Sequence, residues 1–270
     1  MITNLKMIEL LKEVNCIDIK NNQYLIACYN AMKYIGENYK SVITKTIEKR
    51  NDEIAIEIYE RNYIIYLTYV IGLIQGKCSN VLEKEDFING EIYKEIEILP
   101  DESAKKAYHQ FLEIKNKKEI KKKDNCSDET AVISMNEHIG QLIPDFLIHI
   151  SHKKDNDYRG QKFIIEAKTT SKLQEIPFCW DLLKLNIYVN SLNFDNAAYI
   201  ILNSSVEKIN TLLAYYILNI DYYEEALDKI WFFVQNWDSK NESLLSPKIF
   251  KLDKENILIF RDRVSHQAHK

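Results

Sequence analysis

Apolar positions in the first half of the chain recur every three or four residues. Over residues 22–50 and 52–75 this spacing runs unbroken by proline, as in Ile54, Ile58, Ile65 and Tyr69, and it predicts two long amphipathic helices. Asn51-Asp52 reads as the cap between them, and a third helix is expected from about Asp101, after Pro100, to near Lys118. Past a turn-like stretch at 124–130 the period changes. Residues 131–135, 145–150, 163–168, 197–202 and 230–235 are short β-branched or aromatic runs bounded by polar turns, and each predicts a strand. Residues 178–192 return to helical spacing. The reading is an α/β (α+β) chain, with an all-helical region at 1–98 preceding a mixed α/β domain at 99–270. The polar tail from Arg261 to Lys270 is expected to fray.

Composition narrows the class. Of 270 residues, 46% are hydrophobic and 28% charged, with six glycines and four prolines. Such a chain is not collagenous, low-complexity or wholly disordered. No stretch of about 18 uncharged apolar residues occurs, so no membrane span is expected. Met1 to Lys12 does not read as a signal peptide. Cys16, Cys28, Cys78, Cys126 and Cys179 are widely spaced and form no C-x-x-C pair. That spacing points to a reducing, cytoplasmic setting and away from disulfides, zinc sites and iron–sulfur clusters.

The net charge of −4 hides an uneven distribution. Residues 51–102 carry four basic and twelve acidic groups, whereas residues 103–123 carry eight lysines against Glu113 and Glu119. Lys115, Lys117, Lys118, Lys121, Lys122 and Lys123 can follow a phosphate backbone. A solvated helix end is the plainer reading of that segment.

Two strands carry the candidate chemistry. In Pro144-Asp145-Phe146-Leu147-Ile148-His149-Ile150 the strand period puts Asp145, Leu147 and His149 on one face. In Phe163-Ile164-Ile165-Glu166-Ala167-Lys168 it groups Ile164, Glu166 and Lys168. If the two strands pair across the loop 151–162, Asp145 and Glu166 converge. Two carboxylates at that range repel unless a cation lies between them, and an oxygen-only set suits a hard ion such as Mg²⁺. A lysine one side-chain period away can orient a water and neutralise phosphate charge, which suffices for metal-assisted phosphodiester hydrolysis. A surface salt bridge between Glu166 and Lys168 beside a turn-forming Pro-Asp explains the same residues equally well.

Pro144-Asp145, twenty intervening residues, then Glu166-Ala167-Lys168 resembles the signature of the PD-(D/E)xK, or restriction-endonuclease-like, nuclease superfamily. Further stretches resemble bacterial members of it: Lys106-Ala-Tyr108-His109-Gln110-Phe111, Asn136-Glu137, Pro144 to His149, and Asp181-Leu-Leu-Lys184-Leu185. The resemblance covers roughly residues 100–202. It implies a core of helix, three strands, helix and strand around a mixed central sheet. It also implies Asp145, Glu166 and the Ala167 carbonyl as ligands of one or two Mg²⁺ ions, with Mn²⁺ able to substitute, and Lys168 as the residue that positions the water. Glu137 would complete that shell. Relatives often add a helix carboxylate, but Lys106 stands in its place here, so Glu102 and Glu113 are the substitutes considered. Lys184 resembles a position that touches phosphate or the metal shell, with a solvent-facing lysine as the equal alternative.

Other motifs carry less. His149 and His152 lack a third ligand spaced for zinc, and a hydrogen-bonded histidine explains them better. Tyr108-His109-Gln110 reads as phosphate contact or as structural hydrogen bonding to the sheet. Trp180, Trp231 and Trp237 read as core before base-stacking platforms. Gly72 to Gly76 lacks the lysine of a phosphate loop.

The expectation is a cytoplasmic, Mg²⁺-dependent endodeoxyribonuclease of restriction or anti-phage defence acting on double-stranded DNA. Lys184, His109, Lys115, Lys118 and Lys122 are its DNA-contacting candidates. A homodimer is compatible with it, because double-strand cutting uses two active sites, and no membrane partner is expected. The rivals are a catalytically inactive module of the same fold that binds nucleic acid or protein, and an assembly protein whose acidic helices bind a partner. An RNase or a single-strand exonuclease is the rival within the enzyme class.

Overall fold

The computed structural model describes residues 22–48, 54–78, 85–89, 102–120, 144–150, 161–169, 173–221, 229–238, 240–241 and 243–251. The first element is α1, Gln23–Asn38. It starts where Asn22 lies in extended backbone and its side chain accepts hydrogen bonds from the amides of Tyr24 and Leu25, both at 3.1 Å, satisfying two otherwise orphaned donors. A single turn, α2 (Lys40–Ile43), leads into β1, Thr44–Glu48, which pairs antiparallel with β2, Ile54–Ile58. Here the structure departs from the two uninterrupted helices expected over 22–50 and 52–75, and the N-terminal region is not all helical. Thr44, Thr46, Ile54, Ile56 and Ile58 place β-branched residues at alternate positions, which suits a pleated strand. Asn51 and Asp52 lie outside the described residues. The second long helix, α3, runs Glu60–Cys78.

Six strands form the main sheet: β3 (Glu85–Asn89), β4 (Phe146–Ile150), β5 (Gln161–Lys168), β6 (Asn196–Leu202), β7 (Ile230–Gln235) and β8 (Lys248–Lys251). Their order across the sheet is β8-β7-β6-β5-β4-β3. The central three are parallel and both flanks are antiparallel. β4 and β5 do form the antiparallel pair expected across residues 151–162, with Phe146 opposite Ile165. The expected strand at 131–135 lies outside the described residues, and β3 is the neighbour of β4 on its far side.

Helices α4 (Glu102–Ile120), α5 (Glu175–Ser191) and α6 (Val206–Asn219) share one hydrophobic cluster with Leu147, Ile164, Ala197, Tyr199, Ile201 and Phe232. Both parallel crossovers, β5-α5-β6 and β6-α6-β7, lie on that face. Strand order advances in one direction through both, so right-handed crossovers put both helices on the same side. The other face, with Phe146, Phe163, Ile165, Ala167, Ile200 and Phe233, is covered by α1 and α3. Strands covered on both faces read as continuous apolar runs, as β5, β6 and β7 do. Among the described residues no helix is long and apolar enough to cross a membrane.

A buried amide ties the second layer down. Gln235, at the end of β7, accepts from the Tyr63 hydroxyl of α3 at 3.1 Å. Its Nε2 donates to the Met32 carbonyl of α1 at 3.3 Å and to the Leu245 carbonyl at 2.8 Å. The contact is close-packed: a Cβ on Gly36 would meet Leu244 Cβ at 2.8 Å. Replacing Gln235 by leucine removes these three hydrogen bonds and takes from the buried Tyr63 hydroxyl its acceptor. It is expected to destabilise the fold by about 2–4 kcal/mol, read as a lowered midpoint in urea unfolding.

Candidate active site

Asp145 occupies the bend just before β4, beyond buried Pro144, and its Oδ2 accepts the Ala167 backbone N–H of β5 at 2.7 Å. The bond pins the acid against the neighbouring strand. On β5 the alternation sends Phe163, Ile165 and Ala167 toward α1 and α3, and Ile164 and Glu166 toward α5. Glu166 is 1% exposed.

The helix α5 is buried nearly all round, and its charged residues Asp181 and Lys184 meet this strand. Lys184 Nζ lies 2.5 Å from Glu166 Oε2 and 3.2 Å from Asp181 Oδ1. Asp181 Oδ2 in turn accepts from the Tyr199 hydroxyl of β6 at 3.1 Å and holds Lys168 Nζ at 3.2 Å. From the opposite layer comes Glu60, in the first turn of α3. Its Oε1 is 3.6 Å from Lys168 Nζ, and its Oε2 accepts the Thr169 N–H at 3.2 Å.

Four carboxylates therefore surround two ammonium groups, a formal excess of two negative charges. Their oxygens are not equally used. Asp181 is engaged at both oxygens by protein donors, and Glu60 likewise. Among the described residues Glu166 Oε1 is buried with no hydrogen-bond partner, and so is the Tyr188 hydroxyl one turn beyond Lys184. A buried acceptor without a donor is costly, and a water, an ion or a proton on the acid relieves it.

The electrostatics follow from that crowding. Burial pushes Glu166 well above the ordinary glutamate value of 4.5, against the Lys184 ammonium, with Asp145 and Asp181 pushing it further. Burial likewise raises Asp145, against the Ala167 amide and both lysines, and raises Glu60. Lys168 is moved the other way than burial alone would take it: Asp181, Glu60, Asp145 and Glu166 together hold its proton more tightly. Lys184 is raised for the same reason, by Glu166 and Asp181.

The expected triad thus shares one place, and Lys184 joins it as a buried ion-pair partner instead of a solvent-facing lysine. The remaining candidates lie elsewhere. Glu102 is exposed and bonds Lys105 at 2.6 Å, and Glu113 pairs with Lys117 at 3.9 Å. Lys106 reaches Asp221 at 3.3 Å. His109 and Lys115 are exposed on α4, and Lys118 pairs with Glu175 at 2.9 Å and lies over the Tyr215 ring. Glu137, Lys122 and His152 lie outside the described residues, as does the side chain of His149. Asp181 stands in a resembling stretch that gives it no role; its signal was a charged pair at i,i+3 inside a mainly apolar helix. Glu60 had none, since it is over a hundred positions from Glu166.

The donor set suits a hard cation. It is all oxygen, Glu166 offers an unpartnered one, and Asp145 stands beside it. Among the described residues no three carboxylate, histidine or cysteine side chains form a ready metal cage. Comparison with known proteins gives no match to a family model, to a curated protein or to a solved structure.

The raised carboxylates set a pH dependence for the metal-free protein. Where a folded acid has the higher pKa, the folded state binds more protons than the unfolded state. Stability is then fully present below the ordinary carboxylate range and is lost as pH rises through the folded values. Urea titrations from pH 4 to pH 8 are expected to show stability falling, by up to about 1.4 kcal/mol per pH unit for each excess proton. Glu166→Gln should flatten that fall.

Proposed function

We propose that the chain is a metal-dependent endodeoxyribonuclease of the PD-(D/E)xK kind, acting in restriction or anti-phage defence. The observation that carries the reading is the unpartnered, buried Glu166 Oε1 beside Asp145, with the Lys168 ammonium at the same place. Two features of the fold support it. The succession α3, β3, β4, β5, α5, β6 follows the superfamily order of helix, three strands, helix and strand, with α4 inserted between β3 and β4. The helix carboxylate that the resemblance leads one to expect comes from Glu60 of α3, which meets Lys168, and not from Glu102 or Glu113 of α4.

Asp145 and Glu166 would hold Mg²⁺, which supplies Lewis-acid stabilisation of charge on the phosphoryl oxygens. Lys168 does its part as a cation. Asp181 and Glu60 grip its ammonium from two layers and keep it protonated, so it donates to and orients a water or a phosphate oxygen and does not act as a base. The Ala167 amide holds Asp145 in place. The exposed lysines of α4, Lys115 and Lys117, can follow the nucleic-acid backbone leading away from the site.

Supercoiled plasmid incubated with purified protein is expected to be nicked or linearised only when Mg²⁺ or Mn²⁺ is present. Glu166→Ala and Lys168→Ala should each lower the rate by about 10²–10⁴-fold. Parallel incubations with linear DNA, single-stranded DNA and RNA distinguish endonuclease from exonuclease and ribonuclease. A folded wild type that binds DNA yet cuts none of these would leave the inactive binding module as the better reading.

A further inference from the structure

We infer that Lys184 is a built-in second cation of this site, so that the site accepts one divalent ion and not two. The inference rests on the metal-dependent reading above and fixes its stoichiometry. Two-metal hydrolytic sites place their ions about 3.5–4 Å apart between shared carboxylates. Lys184 Nζ stands in just such a bridging position, 2.5 Å from Glu166 Oε2 and 3.2 Å from Asp181 Oδ1. Its charge also acts on Asp145, where it is the stronger of the two lysine influences.

Oxygen usage points the same way. With Oε2 held by Lys184, Glu166 has one oxygen left for an ion. Asp181 is engaged at both oxygens, by Lys184 at one and by Lys168 and Tyr199 at the other, so it serves as the clamp that fixes both ammoniums. A second ion would need the place that Lys184 fills. Lys184 cannot swing aside freely: it is 8% exposed on a helix buried on every side.

Calorimetric titration of Mn²⁺ into wild type, Lys184→Arg, Lys184→Met and Asp145→Asn tests this, with circular dichroism to establish that each is folded. Wild type and Lys184→Arg are expected to bind one ion per chain and Asp145→Asn none. Lys184→Met should bind a second ion and hold the first at least about tenfold more tightly. Thermal melts keep the test decisive if Lys184→Met is fragile: its melting temperature should fall below that of wild type without metal and recover with saturating Mn²⁺. Two ions in wild type, or a Lys184→Met protein with one ion of unchanged affinity and a melting deficit that Mn²⁺ leaves in place, overturns the inference and leaves the metal-dependent reading standing. A folded wild type that binds no Mn²⁺ overturns both.

Discussion

Carboxylates withdrawn from water and placed side by side repel one another, and the protein tolerates them only where cations or strong donors are close. Here Glu60, Asp145, Glu166 and Asp181, from four separate segments, share two ammonium groups and remain in negative excess. Burial raises the carboxylates, the surrounding acids hold the protons of both lysines, and among the described residues one buried oxygen of Glu166 has no partner. A buried ionic cluster of this kind contributes little to net stability compared with apolar packing of the same volume.

The architecture explains how such a cluster is held. Glu166 is on β5, one of the parallel central strands, which pairs with β4 on one side and β6 on the other. The antiparallel partner β4 brings Asp145 to its side, and the crossover helix α5 returns over the same strand with Asp181 and Lys184. The opposite layer contributes through α3, anchored by Tyr63 to Gln235 at the far side of the sheet. Lys168, at the end of β5, meets acids from both layers. The placement of the site at the carboxyl end of a parallel strand is where open α/β sheets commonly bind ligands.

Charge elsewhere on the chain shapes what can approach. Residues 51–102 are acidic and 103–123 strongly basic, and the helix α4 that carries the first part of the basic segment packs beside α5. A polyanion would be drawn to that flank and repelled from the acidic one. The exposed lysines Lys115 and Lys117 have surface positions suited to this, whereas Lys184 acts within the protein.

By itself the amino-acid sequence determined β4, β5, α5, β6 and β7 and the two acidic strand ends. Strands buried on both faces need continuous apolar runs, so β4, β5, β6, β7 and α5 are written locally and Asp145, Glu166 and Lys168 stand out against them. The β1–β2 hairpin was not legible, because the four-residue spacing of Ile54 and Ile58 fits a helix and a strand alike, four being also a multiple of two. Only the tertiary structure decided which acids join the site. Glu60 reaches Lys168 because α3 packs across the opposite face of the sheet, and Lys184 turns inward because α5 has no exposed side. Such meetings depend on which elements pack together, and no periodicity within a single element encodes that.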